Sequence, residues 1–334
     1  MRALVTGGGG FLGSAIARKL AARGDEVRSF SRSRYPELET LGIHCYEGDI
    51  TDADAVRDAA RGCDVVFHVA AKPGVWGPYI DYFRTNVLGT QNVIDACRRL
   101  GIRKLVHTSS PSVVFDGRDM EGVNESVPYP EHFEAAYPKT KAIAERAVLD
   151  ANGSSLATVA LRPHLIWGPG DNHLIPRLIA RAKARQLRRI GGRNPKVDSV
   201  YVDNAADAHL LAADRLQPGA PLAGRAYFIT QGEPMPVWDL VDAILKAHGL
   251  PPVKGTVPTW LAIALGGALE GIHQLLNLAR EPRMTRFVAR ELSTAHWFDI
   301  SAAKRDLGYE PRVSTAEGLR RLASFANAST SVTC

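Results

Sequence analysis

The chain has 334 residues, is 45% hydrophobic and 23% charged, and carries 41 Lys and Arg against 35 Asp and Glu. At about 150 residues per domain this length suits about two domains, and the composition excludes collagen-like and disordered classes. The net charge of +6 is a weak basic bias, which suits an anionic ligand or an ordinary solvated surface.

The first residues, MRALVTGGGG, run straight into a strand and a glycine loop, with no basic and apolar leader. A cytoplasmic protein is expected. Cys45, Cys63, Cys97 and Cys334 are scattered without a C-x-x-C pair, which argues against a zinc site or a disulfide framework. No uncharged run reaches the ~20 residues of a membrane-spanning helix. The nearest, Thr259–Ala279, is interrupted by Glu270 and His273.

In chain order, the apolar run Arg2–Thr6 predicts a first strand and Gly13–Arg23 a helix. Glu26–Phe30 and His44–Glu47 predict strands two and three, followed by a helix over Asp52–Arg61. Val65–Val69 predicts a buried strand, Val87–Leu100 a helix with one apolar face, and Lys104–Thr108 strand five. Lys139–Asp150 predicts a helix and Ala157–Leu161 a sixth strand. This alternation implies an α/β fold with a doubly wound parallel sheet, a Rossmann-type dinucleotide-binding domain over 1–164. After Pro163 the pattern changes to Pro- and Gly-rich loops with separate helices at Ile175–Arg185, Ala205–Leu216 and Val237–His248. A smaller, irregular substrate domain is expected over 165–196 and 231–334, with segments of 197–230 returning to the sheet.

The stretch TGGGGFLG fits two spacings. Gly8, Gly10 and Gly13 give G-x-G-x-x-G, and Gly7, Gly10 and Gly13 give G-x-x-G-x-x-G. Without Cβ atoms the loop lets a pyrophosphate approach the backbone, its charge resting at the helix N-terminus beside Phe11, Leu12 and Gly13. A site preferring NAD puts an acid at the end of strand two. Here Ser31 stands there, followed by Arg32 and Arg34. Ser and Arg can bond a 2′-phosphate that a carboxylate would repel, so NADP(H) is the expected cofactor. Asp49, with Ile50 after it, follows strand three and can meet the adenine amine. Helix capping ahead of Thr51–Asp54 explains Asp49 equally well.

Tyr137 and Lys141 form a Y-x-x-x-K pair, one turn apart on one helix face. The ammonium is expected to lower the phenol pKa from about 10 and to orient the cofactor ribose. Tyr137 can then give a proton to a carbonyl oxygen. Strand five ends in Ser109 and Ser110, with Ser112 following. Ser110 is the expected holder of the substrate oxygen, and its neighbours have turn formation as their alternative role.

On these residues the chain resembles the extended short-chain dehydrogenases/reductases along nearly its whole length. The matching pieces are TGGGGFLG, GDI at 48–50, HVAAK at 68–72, TNVLGTQNVIDAC at 85–97, HTSS at 107–110, YPKTK at 137–141 and LRPHLIWGPGD at 161–171. The resemblance implies that Ser110, Tyr137 and Lys141 run hydride transfer with a bound nicotinamide, supported by Asn86. It also implies that Ala70, Ala71, Lys72, Pro163 and Leu165 border the cofactor. Dehydratases of the scaffold carry an Asp-Glu pair after the serine or threonine, where this chain has Pro111 and Ser112. SSPSVVF and YPKTKAIAE look more like the 3β-hydroxysteroid dehydrogenase branch. SRSRYPEL at 31–38, KPGVWGPY at 72–79, NPKVDSVYVDNAA at 194–206 and PRMTRF at 282–287 resemble the bacterial olefin-biosynthesis reductases within it. That resemblance implies NADPH-dependent reduction of a long-chain 2-alkyl-3-oxoalkanoate. It further implies work alongside a β-lactone synthetase and a β-lactone decarboxylase. A homo-oligomer is expected.

Two stretches bear on the substrate. Asn172 through Val197 carries Arg177, Arg181, Lys183, Arg185, Arg188, Arg189, Arg193 and Lys196 without an acid, a solvated face or a contact for a substrate carboxylate or acidic partner. Pro258–Leu278 repeats apolar residues at three- and four-residue spacing and suits an amphipathic helix pair. Such a pair can pack on its own domain, cover alkyl chains, dock a partner or rest on a membrane. Trp76 and Tyr79 sit in a loop suited to the substrate mouth. His68, His107, His164 and His209 lack a metal-ligand spacing, so no metal is expected, and His164 can line the pocket. The alternatives are a steroid dehydrogenase using NAD, a sugar-nucleotide epimerase retaining NAD, and a dinucleotide sensor without chemistry. No nucleic-acid partner is expected: eight of the 41 basic residues fall in that acid-free stretch and two more follow strand two, where a 2′-phosphate would sit.

Overall fold

The computed structural model describes residues 1–278 and 280–331; Ala279 and Cys334 lie outside them. One parallel sheet has seven strands: β1 (Arg2–Thr6), β2 (Glu26–Ser31), β3 (His44–Glu47), β4 (Val65–His68), β5 (Lys104–Thr108), β6 (Ala157–Pro163) and β7 (Arg225–Ile229). Their order is β7-β6-β5-β4-β1-β2-β3, and every pairing is parallel. The order reverses between β1 and β4. That reversal opens a crevice at the carboxyl ends of the strands, where open α/β sheets bind ligands.

Among the helices are α1 (Phe11–Ala22), α2 (Gly89–Leu100), α3 (Ala136–Asp150), α4 (Leu174–Lys183), α5 (Val202–Arg215), α6 (Thr259–Leu275) and α7 (Arg286–Glu291). Strand side chains alternate between faces. Ala3, Val5, Val65, Phe67 and Val106 join Leu12, Ile16 and Leu20 of α1 and Ala205 and Ala212 of α5 in one core. Leu4, Val66 and Leu105 pack on the other face against Val93, Ile94 and Cys97 of α2 and Val148 of α3. Each such large apolar side chain contributes ~1.5–3 kcal/mol when buried.

Several boundaries differ from those read in the sequence. α3 begins at Ala136 rather than Lys139, because a proline is tolerated in a helix's first turn, and Tyr137 therefore belongs to the helix. The expected helix Val87–Leu100 is the end of a longer helical run that starts at Tyr79 and contains a π segment, Phe83–Leu88. The expected helix pair over 258–278 is one helix, α6, with α7 packed on it. A Cβ at Gly266 would stand 2.7 Å from the Thr285 carbonyl carbon, so a small residue is needed where α7 approaches. Met120–Val123 leaves the cofactor half and joins His296–Phe298, Lys196–Val197 and Met235–Pro236 in a second sheet. Cys45, Cys63 and Cys97 are free thiols. Among the described residues no helix is long and apolar enough to cross a membrane, and no side-chain cluster suits a metal ion.

Candidate active site

The chain leaves β1 at Thr6 and turns at Gly7, whose φ of +69° is left-handed. A Cβ on Gly7 would stand 2.9 Å from Ala70 Cα. The conformational demand thus falls on Gly7, while Gly8 is kept small by the Ser29 side chain, which stands where its Cβ would be, so the residues of both spacings are needed in the loop. A Cβ at Gly13 would run into the Gly7 carbonyl oxygen, which accepts the Gly10 amide at 2.9 Å. α1 opens on Gly10 with no side-chain cap and no acid in its first turn. The amides of Phe11, Leu12 and Gly13 are therefore free of side-chain partners at the positive end of the helix dipole, a seat for a pyrophosphate. Gly9, which neither spacing uses, is needed because the Tyr35 ring packs where its Cβ would stand. These residues fit a dinucleotide.

At the nucleotide end, Ser31 Oγ accepts the Gly9 amide at 3.1 Å and ties the end of β2 to the loop. Arg32 is exposed. Arg34 forks onto Glu39 at 2.7 and 3.2 Å, whereas Arg32 makes no close ion pair among the described residues and acts on the Asp49 carboxylate only through its charge. Asp49 Oδ1 accepts both the amide and the hydroxyl of Thr51 at 2.8 Å. The capping role that competed for Asp49 belongs instead to Asp52, which accepts the Asp54 and Ala55 amides. Ile50 is buried, and its side chain fills the space beside Gly89.

The end of β5, the short helix after it and α3 converge on the candidate catalytic residues. Ser110 caps the short helix Pro111–Val114, with its Oγ 2.9 Å from Ser112 Oγ. Desolvation pushes the Tyr137 phenol up to about 12; the Ser110 hydroxyl opposes this, while Glu291 and Tyr82 add to it. The expected lowering by Lys141 is not found. Lys141 Nζ donates to Thr108 O at 2.6 Å and His107 Nε2 at 3.3 Å. Desolvation holds the Lys141 ammonium down at about 8, against the pull of Glu145. Since His107 Nε2 accepts, its proton is on Nδ1, a buried atom without a partner. Below it His68 lies between Thr6 Oγ1 (2.8 Å) and Thr90 Oγ1 (2.9 Å). The Thr90 hydroxyl already donates to Asn86 O at 2.6 Å, which makes His68 Nε2 the donor to Thr90.

Asn86 sits in the π segment and bonds three ways. It accepts the Lys72 amide at 2.7 Å and donates to Lys72 O at 3.2 Å and Thr140 Oγ1 at 3.0 Å. It thereby ties the Ala70–Ala71–Lys72 loop to α3. One turn past Lys141, Glu145 forks onto Arg162 of β6 at 2.6 and 2.9 Å and accepts the Tyr129 hydroxyl at 2.6 Å. Pro163 ends β6, and Leu165 follows in a left-handed conformation, φ +43°.

Above Tyr137 lies a cavity of 210 Å³. Its floor is Ser110, Ser112 and Tyr137, and its walls include Val75, Phe115, Met120, Leu165, Phe287 and Phe298. His164, His296, Glu291 and Arg177 supply its remaining polar groups. Of these, Glu291, Phe287, His296 and Phe298 were not anticipated, and no local pattern marks them. Trp76 does not line the cavity; its Nε1 donates to Leu278 O at 3.1 Å, docking the loop on the end of α6. Tyr79 is exposed. Of the basic stretch, Arg189 pairs with Asp242 and Arg193 with Asp119. A second cavity of 390 Å³ at the sheet edge, beside Arg162 and Tyr227, contains none of the expected site residues.

Compared with known proteins, the chain matches the 3-beta hydroxysteroid dehydrogenase/isomerase family over residues 4–258. It is 52% identical to the 2-alkyl-3-oxoalkanoate reductase of Shewanella oneidensis, a match covering 96% of this chain and 85% of that protein. The same identity holds for the 2-alkyl-3-oxoalkanoate reductase of Stenotrophomonas maltophilia, over 96% of this chain and 98% of that one. Among solved structures, MoeE5 in complex with UDP-glucose and NAD superposes with a TM-score of 0.76 at 25% identity, covering 99% of this chain and 100% of that one.

Proposed function

Because the chain belongs to the 3-beta hydroxysteroid dehydrogenase/isomerase family, a branch of the extended short-chain dehydrogenases/reductases and hence of oxidoreductases, we propose that it reduces long-chain 2-alkyl-3-oxoalkanoates to the 2-alkyl-3-hydroxyalkanoates with NADPH. The observation that carries this reading is the 52% identity, over 96% of the chain, to two 2-alkyl-3-oxoalkanoate reductases. The apolar walls of the cavity over Tyr137 support it, since they suit alkyl chains. NADPH is supported by Ser31 and the exposed Arg32 at the end of β2, where no acid stands to repel a 2′-phosphate.

The glycine loop would hold the cofactor, whose chemistry would be the supply of a hydride for the carbonyl carbon. The chain does the rest. The Ser110 hydroxyl holds the carbonyl oxygen beside Tyr137. The phenol, pushed up to about 12, is protonated at neutral pH and gives its Oη proton to that oxygen as the alcohol forms. Lys141 keeps its ammonium against the end of β5, and Asn86 fixes the loop opposite. The product is a β-hydroxy acid, the group a β-lactone-forming synthetase would close, which supports work beside such an enzyme and a β-lactone decarboxylase. The apolar face of α6, with Trp260 70% and Leu275 85% exposed, supports docking of this region to such partners or to a lipid surface.

The test mixes purified protein with NADPH and a 2-alkyl-3-oxo acid. Wild type should oxidise the cofactor, and Tyr137→Phe should lose at least about a hundredfold in kcat. A Tyr137→Phe variant as fast as wild type refutes the assigned donor. Turnover confined to NAD-linked sterols, or a tightly retained NAD without net turnover, would point to the steroid dehydrogenase or epimerase readings.

A further inference from the structure

We infer that Arg177 is the residue that recognises the substrate carboxylate, giving up its resting partner Glu281 to do so. This deepens the keto-acid reading and rests on it. A 3-oxo acid carries its carboxylate two carbons from the reacting carbonyl. With the carbonyl oxygen at Tyr137 and Ser110, the carboxylate must lie within or at the mouth of the same small cavity. An anion against apolar walls needs a fixed positive partner.

The cavity offers one such partner. Desolvation lowers His164 to about 4 and His296 to about 3, so both are neutral at pH 7. Glu291 is acidic, and Ser110, Ser112 and Tyr137 are neutral. Arg177 is therefore the cation among the lining residues. Its neighbours in the basic stretch are absent from that lining, and Arg189 and Arg193 already pair with Asp242 and Asp119.

Arg177 is also shaped for the task. The Asp171 carboxylate accepts the amides of His173, Leu174 and Ile175, which fixes the first turn of α4 beneath it. The Arg177 guanidinium points both Nη atoms at the two oxygens of Glu281, at 3.4 and 3.1 Å. The Glu281 carboxylate thus occupies the fork that a substrate carboxylate would take. The Arg177 and Glu281 side chains are 54% and 28% exposed, and an exposed pair contributes little to stability. Exchanging one carboxylate for another is accordingly cheap. The loop bearing Gly74 and Val75, both in the cavity wall, docks through Trp76 on Leu278, close in sequence to Glu281. The Tyr82 hydroxyl, which donates to Trp76 O of that loop, feels both Glu281 and Arg177, so the exchange lies beside it.

The experiment runs the reaction in reverse, because free β-keto acids lose carbon dioxide. The full-length enzyme is given NADP⁺ with a 2-alkyl-3-hydroxyalkanoate or its methyl ester. Arg177→Met should lower the acid-to-ester ratio of kcat/KM by about 30- to 100-fold, mainly through KM for the acid, and Arg177→Lys should fall between it and wild type. Glu281→Gln should lower KM for the acid by about two- to fivefold. The inference is overturned if wild type oxidises the acid and Arg177→Met keeps its ratio, or loses on both substrates equally. A Glu281→Gln variant with a raised KM for the acid overturns it too. A wild type inactive on the acid overturns the keto-acid reading and this inference with it.

Discussion

Arg162→Met should destabilise the protein more than any substitution at its surface. It removes the guanidinium from Glu145, a carboxylate 0% exposed whose partner is 3% exposed. Burial alone pushes the Glu145 carboxyl up, but the Arg162 hydrogen bonds and charge, aided by Ser109 and Tyr129, outweigh it and hold the group below the usual range. Breaking one side of such a pair costs about 3–5 kcal/mol. With 334 residues, unfolding entropy is ~0.7 kcal/mol/K, so Tm should fall by about 4–7 °C at neutral pH. The sign of the pH dependence follows. Glu145 has a depressed pKa when folded, so its stabilisation is present above the ordinary Glu value and is lost as pH falls through the folded one. In the variant the carboxyl is raised instead, so the gap to wild type should begin to narrow above about 4.3, as the variant's carboxyl takes up its proton, and go on narrowing below it as wild type loses its ion pair. Thermal melts across pH measure both effects. Adding Glu145→Leu should recover most of the loss, because apolar groups can replace a buried ion pair. A Tm shift under about 1 °C, or a double variant no more stable than the single, refutes the reasoning.

Three further outcomes are expected. Gly13→Ala puts a methyl against the Gly7 carbonyl oxygen and must displace the loop; Kd for NADPH, read by fluorescence titration, should rise at least about tenfold, and unchanged binding would move the pyrophosphate elsewhere. Ser31→Asp can still accept the Gly9 amide but would repel a 2′-phosphate. The NADPH/NADH ratio of kcat/KM should drop about 100-fold, and an unaltered ratio removes the 2′-phosphate from this corner. Desolvation raises Glu291 to about 7, so above that pH the cavity carries an extra negative charge and kcat/KM for the acid should fall. Glu291→Gln should move the fall toward the loss of the Lys141 proton, at about 8; a profile that superposes on wild type denies Glu291 any part in it.

The parts of this protein that could be read from its residues are those whose partners are near in the chain. The glycine loop joins β1 to α1 within a few residues, and Tyr137 and Lys141 share a helix turn, so spacing alone brought them together. Spacing did not say what Lys141 would touch. Its ammonium bonds Thr108 O, an atom contributed by β5, and the phenol is governed by desolvation instead. The cavity walls were opaque for a stronger version of the same reason. Met120, His296 and Phe298 come from strands of a few residues paired across long stretches of chain, and Phe287 and Glu291 from the short helix α7, all too short to show a period. Arg177 was visible as one of eight basic residues but indistinguishable from Arg181 until the cavity separated them. Hydride transfer needs a few groups in fixed mutual order, which one helix and one strand end can encode. A substrate pocket needs only shape and one well-placed charge, which any segment reaching the mouth can provide. The residues that choose the substrate must therefore be sought in the packing around the cavity over Tyr137 rather than in a motif, and Arg177 is where that packing puts a cation in the cavity's lining.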